Sequence, residues 1–164
     1  MKFLIAIIFS VFINVQTVDL QKTREAYKVA AHDADNVNTF FRDLQSVTKK
    51  NRSELIAYKG ASIALKAKNT KTLKEKKEGF IEGVNLVEYA VKKDSNNIEV
   101  RFIRLSIQQN TPKILKYNQE IENDKAFIMR HYNEIKSAHL KMHIGDYISN
   151  SKKFSDADKA ALDL

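Results

Sequence analysis

What most limits how this chain can fold is its shortage of helix breakers: one proline and four glycines in 164 residues. Pro and Gly are the strongest local punctuators of a chain. With so few of them, and with Lys, Glu, Ala, Leu and Gln frequent between them, helix can propagate through most of the sequence. There is also no cysteine. That removes a disulfide framework, a thiolate metal site and a thiol nucleophile together. Hydrophobic burial alone must hold the fold, and an all-α single domain is expected.

The first residues read differently from the rest. Lys2 is followed by an almost unbroken apolar run, Phe3-Leu4-Ile5-Ala6-Ile7-Ile8-Phe9-Ser10-Val11-Phe12-Ile13, which Asn14 ends. The run is shorter than the ~20 residues of a spanning helix and has the length of a signal-peptide core. With Val15-Gln16-Thr17 as the cleavage region, residues 1–17 are predicted to be a signal peptide and residues 18–164 the helical domain. Export to the periplasm or the extracellular space follows as an expectation. A lipidated mature terminus is excluded, because that modification needs a cysteine. No later segment is long and apolar enough to span a membrane. A chain of this size buries roughly 70% of its unfolded surface, enough to stand without disulfides.

The formal charge is +8. Lysines thicken at Lys66, Lys68, Lys71, Lys74, Lys76 and Lys77, where Glu75 and Glu78 dilute them, so the run reads as a solvated face with some attraction for acidic partners. Export takes the chain away from cytoplasmic nucleic acid, which argues against a nucleic-acid partner.

Apolar residues recur at helical spacing along the remainder. Asp19 opens a first helix over residues 19–33, with Leu20, Thr23, Ala26, Tyr27 and Ala30 on one side. Asp35 or Asn36 caps a second carrying Val37, Phe40, Leu44 and Val47. Asn51 and Ser53 restart the chain for a third, with Leu55, Ile56, Tyr58 and Ala61, ending near Asn69. A fourth covers 72–93, and Asp94-Ser95-Asn96-Asn97 supplies turn and cap chemistry. Residues 98–107 alternate like a strand, but the phase flips midway, which would turn half a strand inside out. Read as a helix, they carry two apolar stripes and suit an element buried on two sides. Thr111-Pro112 opens a short helix through Ile114, Leu115 and Tyr117. Further helices follow around Ile121 to Lys136, around Leu140 to Ile148, and after Ser155.

Gly83, Val87 and Ala90, then the polar turn at Asp94 and a new helix, resemble the second helix and exit turn of a tetratricopeptide hairpin. Ser95 stands where that family usually has Pro, and Gly60 would be the small contact residue of the partner helix. The resemblance implies stacked antiparallel helical hairpins. The order of a leader, then Ala57-Tyr58-Lys59-Gly60-Ala61, then Glu99-Val100-Arg101-Phe102-Ile103-Arg104-Leu105, is also similar to small exported helical proteins of Gram-negative bacteria, which implies fold and compartment only.

Few residues suggest chemistry. His139 and His143 stand at i and i+4, the spacing at which one helix offers a metal two ligands. Asp146, His131 or Glu134 could add a third, but the Glu of a metalloprotease helix is missing. Arg101 and Arg104 lie one turn apart on an otherwise apolar helix. They would either pair with buried carboxylates such as Glu82 or Glu88 or line a groove for a partner's carboxylate or phosphate. Tyrosines Tyr27, Tyr58, Tyr89, Tyr117, Tyr132 and Tyr147 fall about one per helix, suited to the rim of a core. Glu120, Glu122 and Asp124 form a helix-start cluster. Neither a Gly-x-Ser-x-Gly elbow nor a phosphate loop is present, so no cofactor is expected and a binding role is favoured over an enzyme. The leading expectation is an exported binding or scaffold protein that engages a protein or peptide through a basic groove at Arg101, Arg104, Tyr58 and Tyr89. A metal-binding protein or metal-dependent hydrolase built on His139 and His143 is the alternative, and a binder of anionic polymers or membrane surfaces the third.

Overall fold

The computed structural model describes residues 18–164, and the predicted leader lies outside them. Among these residues the regular structure is helical throughout: α1 (Leu20–His32), α2 (Ala34–Asp43), α3 (Ser53–Lys68), α4 (Leu73–Lys93), α5 (Ile98–Gln109), α6 (Ile121–His131), α7 (Ala138–Asn150) and α8 (Asp156–Ala160), with 3₁₀ turns at Lys113–Leu115 and Tyr132–Glu134. None of them is long and apolar enough to cross a membrane.

Local chemistry places most helix starts. The Asp19 carboxylate accepts from the Lys22 backbone N–H at 2.8 Å, and Asn97 accepts from the N–H groups of both Glu99 and Val100. Thr72 and Ser155 open α4 and α8 with reciprocal capping boxes, Thr72 with Glu75 and Ser155 with Asp158. Each such side chain satisfies a backbone donor that the helix itself leaves unpaired.

The segment after Asn97 is a helix and not a strand. Val100, Ile103 and Leu105 are all 0% exposed although they point in different directions around α5. That is the result of packing α5 against α3, α4 and α6 at once, and it accounts for the two apolar stripes.

Helices α3 and α4 form the tightest pair. Gly60 meets Gly83 and Val87, while Ala67 meets Gly79, so the register runs in opposite directions along the two helices. A Cβ on Gly60 would sit 2.5 Å from the Gly83 carbonyl oxygen, and one on Gly83 would sit 2.6 Å from the Gly60 carbonyl oxygen. No side chain fits between backbones this close.

Three boundaries differ from the sequence reading. Helix α2 is capped by Asp33, ahead of both Asp35 and Asn36, and ends at Asp43. Leu44 and Val47 are each 1% exposed, yet they lie in the turn after the helix. Lys59 holds that turn by donating from Nζ to the carbonyls of Gln45 (3.1 Å) and Val47 (2.5 Å). After Pro112 the chain makes only a 3₁₀ turn, which Lys116 ends in the left-handed region at φ 49°. Helix α6 stops at His131, and a 3₁₀ turn replaces its expected last turn.

Candidate functional site

The arginines singled out in the sequence are drawn inward. Asp124 is 0% exposed. It accepts from Arg101 Nη1 at 2.9 Å, from Arg104 Nε at 2.7 Å and from Arg104 Nη2 at 2.8 Å. Arg104 Nη1 also donates to Glu88 at 3.0 Å, and Tyr117 donates to the other Glu88 oxygen at 2.6 Å. Burial works against the Arg104 charge, but the hydrogen bonds and charge of Asp124, with Glu88 behind them, outweigh it and raise its pKa. Of the two acids expected as partners, Glu88 takes the role and Glu82 does not.

Tyr58 is 0% exposed and donates to Glu99 at 2.9 Å. Glu99 is in turn clamped by Arg24, with Nε at 2.8 Å and Nη2 at 2.7 Å. Burial and then the Glu99 charge push the Tyr58 hydroxyl well above its ordinary pKa, so it stays a donor. Tyr89 is half-buried beneath the Lys49 ammonium, 4.7 Å from its ring centre. Arg104 and Tyr58 are thus sealed into ion-pair networks, where a partner lying in a surface groove does not reach them. The groove expected at Arg101, Arg104, Tyr58 and Tyr89 is not brought together.

His139 and His143 also part company. His139 is exposed and accepts from the Gln21 amide at 2.6 Å. His143 is 7% exposed, and its ring lies edge-on to Phe102 at 5.2 Å and 6.5 Å from Tyr27. Asp146 is held by Lys28 and His131 by Glu134. Among the described residues no group of three or more such side chains could hold a metal ion.

His143 instead lines a cavity of about 970 Å³, walled by α1, α3, α4, α5, α7 and the turn after α5. That is near the top of the ~300–1,000 Å³ span of small-molecule sites. Its apolar wall includes Leu65, Phe80, Phe102, Ile107 and Leu115. Within it, the Tyr27 hydroxyl donates to Ser106 Oγ at 2.6 Å, and Ser106 donates its own proton to the Ile103 carbonyl at 2.8 Å. Burial raises the Tyr27 pKa to about 12, against the lowering effect of Ser106. Tyr147 donates to Gln109 Oε1 at 2.8 Å.

Three buried polar atoms of residues that line this cavity have no hydrogen-bond partner among the described residues, both ring nitrogens of His143 and the Gln109 amide nitrogen, and all three are closed off from accessible space. Leaving such a group unpaired costs ~1–3 kcal/mol. Burial first, then the nearby charges of Arg24 and Lys28, lower the His143 pKa to about 4, so the ring is neutral near pH 7 and can donate from one nitrogen and accept at the other. Ser106 makes no hydrogen bond to His143, so no nucleophile and base are paired here.

The mouth is basic. Lys68, Lys76, Lys152 and Lys153 line it without a carboxylate partner among the described residues. Asp146 is the only acid among the described residues of the lining, and Lys28 neutralises it at 2.5 Å. Sequence reasoning misses Ser106 and Gln109 and places Tyr27 at the core rim. The one available signal is polar residues, Ser106, Gln108 and Gln109, on the otherwise apolar α5.

Fold and cavity together define an all-helical protein with a ligand-sized, basic-mouthed chamber. Comparison with protein-family models, with curated proteins and with solved structures finds no match for the chain.

Proposed function

We propose that this is an exported binding protein whose ligand enters the chamber between α1, α5 and α7. The observation that carries the reading is a cavity large enough for a small molecule, with an apolar wall and four lysines at its rim, Lys68, Lys76, Lys152 and Lys153, that have no carboxylate partner among the described residues. In this reading the basic binding surface is assigned to the lysines of the chamber mouth and not to Arg101 and Arg104. Export rests on the leader pattern of residues 1–17. A tetratricopeptide-like hairpin for α3 and α4 is supported by the close approach of Gly60 and Gly83.

The test is titration of the helical domain, residues 18–164, with phenylnaphthylamine, an uncharged dye that fluoresces in apolar surroundings. Saturable binding of one dye per chain is expected. Ile107→Trp, which puts an indole into the chamber from its half-buried wall position, should abolish it while leaving the helical circular-dichroism signal intact. Absence of saturable binding by the unmodified domain contradicts the reading.

A further inference from the structure

Two apolar side chains stand almost free of the fold, both beside the chamber mouth. Leu73 is 86% and Ile114 87% exposed, whereas the other large apolar side chains that reach solvent among the described residues are 41–56% exposed. Leu73 precedes Lys76 and Phe80 by three and seven residues, so it continues the stripe of α4 that lines the chamber. Ile114 lies in the 3₁₀ turn between Pro112 and Leu115, which also line it. The Tyr117 ring, edge-on to Phe80 at 5.9 Å, and its hydroxyl on Glu88 hold that turn along α4. Lys71, Lys76 and Lys77 around Leu73, and Lys113 and Lys116 around Ile114, are all exposed and have no carboxylate partner among the described residues. Glu75 closes the Thr72 capping box and Glu78 lies 4.0 Å from Lys74, so cations remain in excess here.

Apolar side chains set among cations match a bilayer interface, whose anionic headgroups attract lysine and whose acyl boundary takes up apolar groups. We infer that the chamber mouth docks on an anionic membrane surface, with Leu73 and Ile114 entering the headgroup boundary and the surrounding lysines lying on the lipid phosphates. An anionic polymer fits less well, because it satisfies the lysines and leaves both apolar tips in water. A second copy of this chain would bring the same lysines face to face, and like charges across an interface repel. The docking uses the outside of the mouth and does not depend on what the chamber holds.

The chain contains no tryptophan, so Ile114→Trp places a single fluorescent reporter at one tip. Ala126→Trp, exposed on α6, is the control, because α6 is not among the helices that line the chamber. With residues 18–164 and vesicles of phosphatidylcholine containing about one third phosphatidylglycerol, the Ile114→Trp emission should move to shorter wavelength and the Ala126→Trp emission should stay where it is. Co-sedimentation of the unmodified domain should be about tenfold stronger on these vesicles than on phosphatidylcholine alone, and should weaken as salt is raised. Leu73→Ser/Ile114→Ser and Lys71→Glu/Lys113→Glu should each weaken it about tenfold. All four positions are exposed, so the helical circular-dichroism signal should not change. An unmoved Ile114→Trp emission, equal binding to the neutral vesicles, or a shift that follows protein concentration without vesicles overturns the inference. Vesicle binding that survives Leu73→Ser/Ile114→Ser undiminished and is matched by heparin marks a polyanion surface and overturns it too. The phenylnaphthylamine titration is read without vesicles, so failure of the docking and failure of the binding role are separate results.

Discussion

Asp124 holds two guanidinium groups on one fully buried carboxylate, and each of its oxygens accepts from Arg104. Removing one partner of a buried ion pair leaves the other charge uncompensated, at a cost of roughly 3–5 kcal/mol. Asp124→Ala is therefore expected to lose about that much stability in urea unfolding, and an unchanged midpoint would show that the network contributes little. His143 gives a second residue-scale prediction through its depressed pKa. Above pH 6.5 both folded and unfolded chains carry a neutral ring; between 6.5 and about 4 only the unfolded chain takes up the proton. Each pH unit across that window is worth ~1.4 kcal/mol, so stability should fall by about 3 kcal/mol on acidification and level off below it. His143→Phe should flatten this component, so the difference between the two proteins measured from pH 7 to pH 4 isolates it. Sequence alone sets His139 and His143 together as a metal pair because four residues turn a helix only ~40° past one full turn. On α7 those few tens of degrees separate an exposed edge from the core wall, and only the packing of α7 on Phe102 and Tyr27 decides which His falls where.

At the scale of elements, the α3–α4 contact depends on two missing side chains. Gly83→Ala would set a methyl carbon 2.6 Å from the Gly60 carbonyl oxygen and 2.7 Å from the Ala64 backbone nitrogen. Backbone atoms cannot step aside as a flexible side chain can, so the helices must separate, with an expected loss of ~1–3 kcal/mol from overpacking. Thr72→Ala, which breaks the α4 capping box, should cost ~1 kcal/mol. Comparison of the two thermal midpoints tests the ranking. The helix start at Asp19 was legible in the sequence because capping is settled within four residues. The end of α2 was not. Leu44 and Val47 keep the apolar spacing of a helix, but a lysine twelve or more residues away, Lys59, claims the carbonyls of that turn. A periodic pattern reports which side chains are buried and leaves open whether the backbone beneath them is still helical.

For the molecule as a whole, the excess of lysine has divided employment. Lys59 and Lys93 hold the chain between α2 and α3 through backbone carbonyls, Lys125 binds Asp158 at 2.7 Å, and the group around the chamber mouth stays unpaired. The sequence showed the excess but not its division, because the mouth draws on α1, α3, α4 and the residues after α7, which no local window joins. The all-α class was readable for the opposite reason, since it needs only the repeated period and the scarcity of breakers. Ligand occupancy should also be visible globally: at one hundred times its dissociation constant, phenylnaphthylamine is expected to add about 2.7 kcal/mol of stability. No such gain is expected in Ile107→Trp. The most direct measurement is a backbone and side-chain NMR footprint of the helical domain at saturation with phenylnaphthylamine. The shifts should centre on Tyr27, Phe102, Ser106, Gln109, His143 and Tyr147; shifts centred on Arg101, Tyr89 and the outer face of α4, or none at all, would contradict the account.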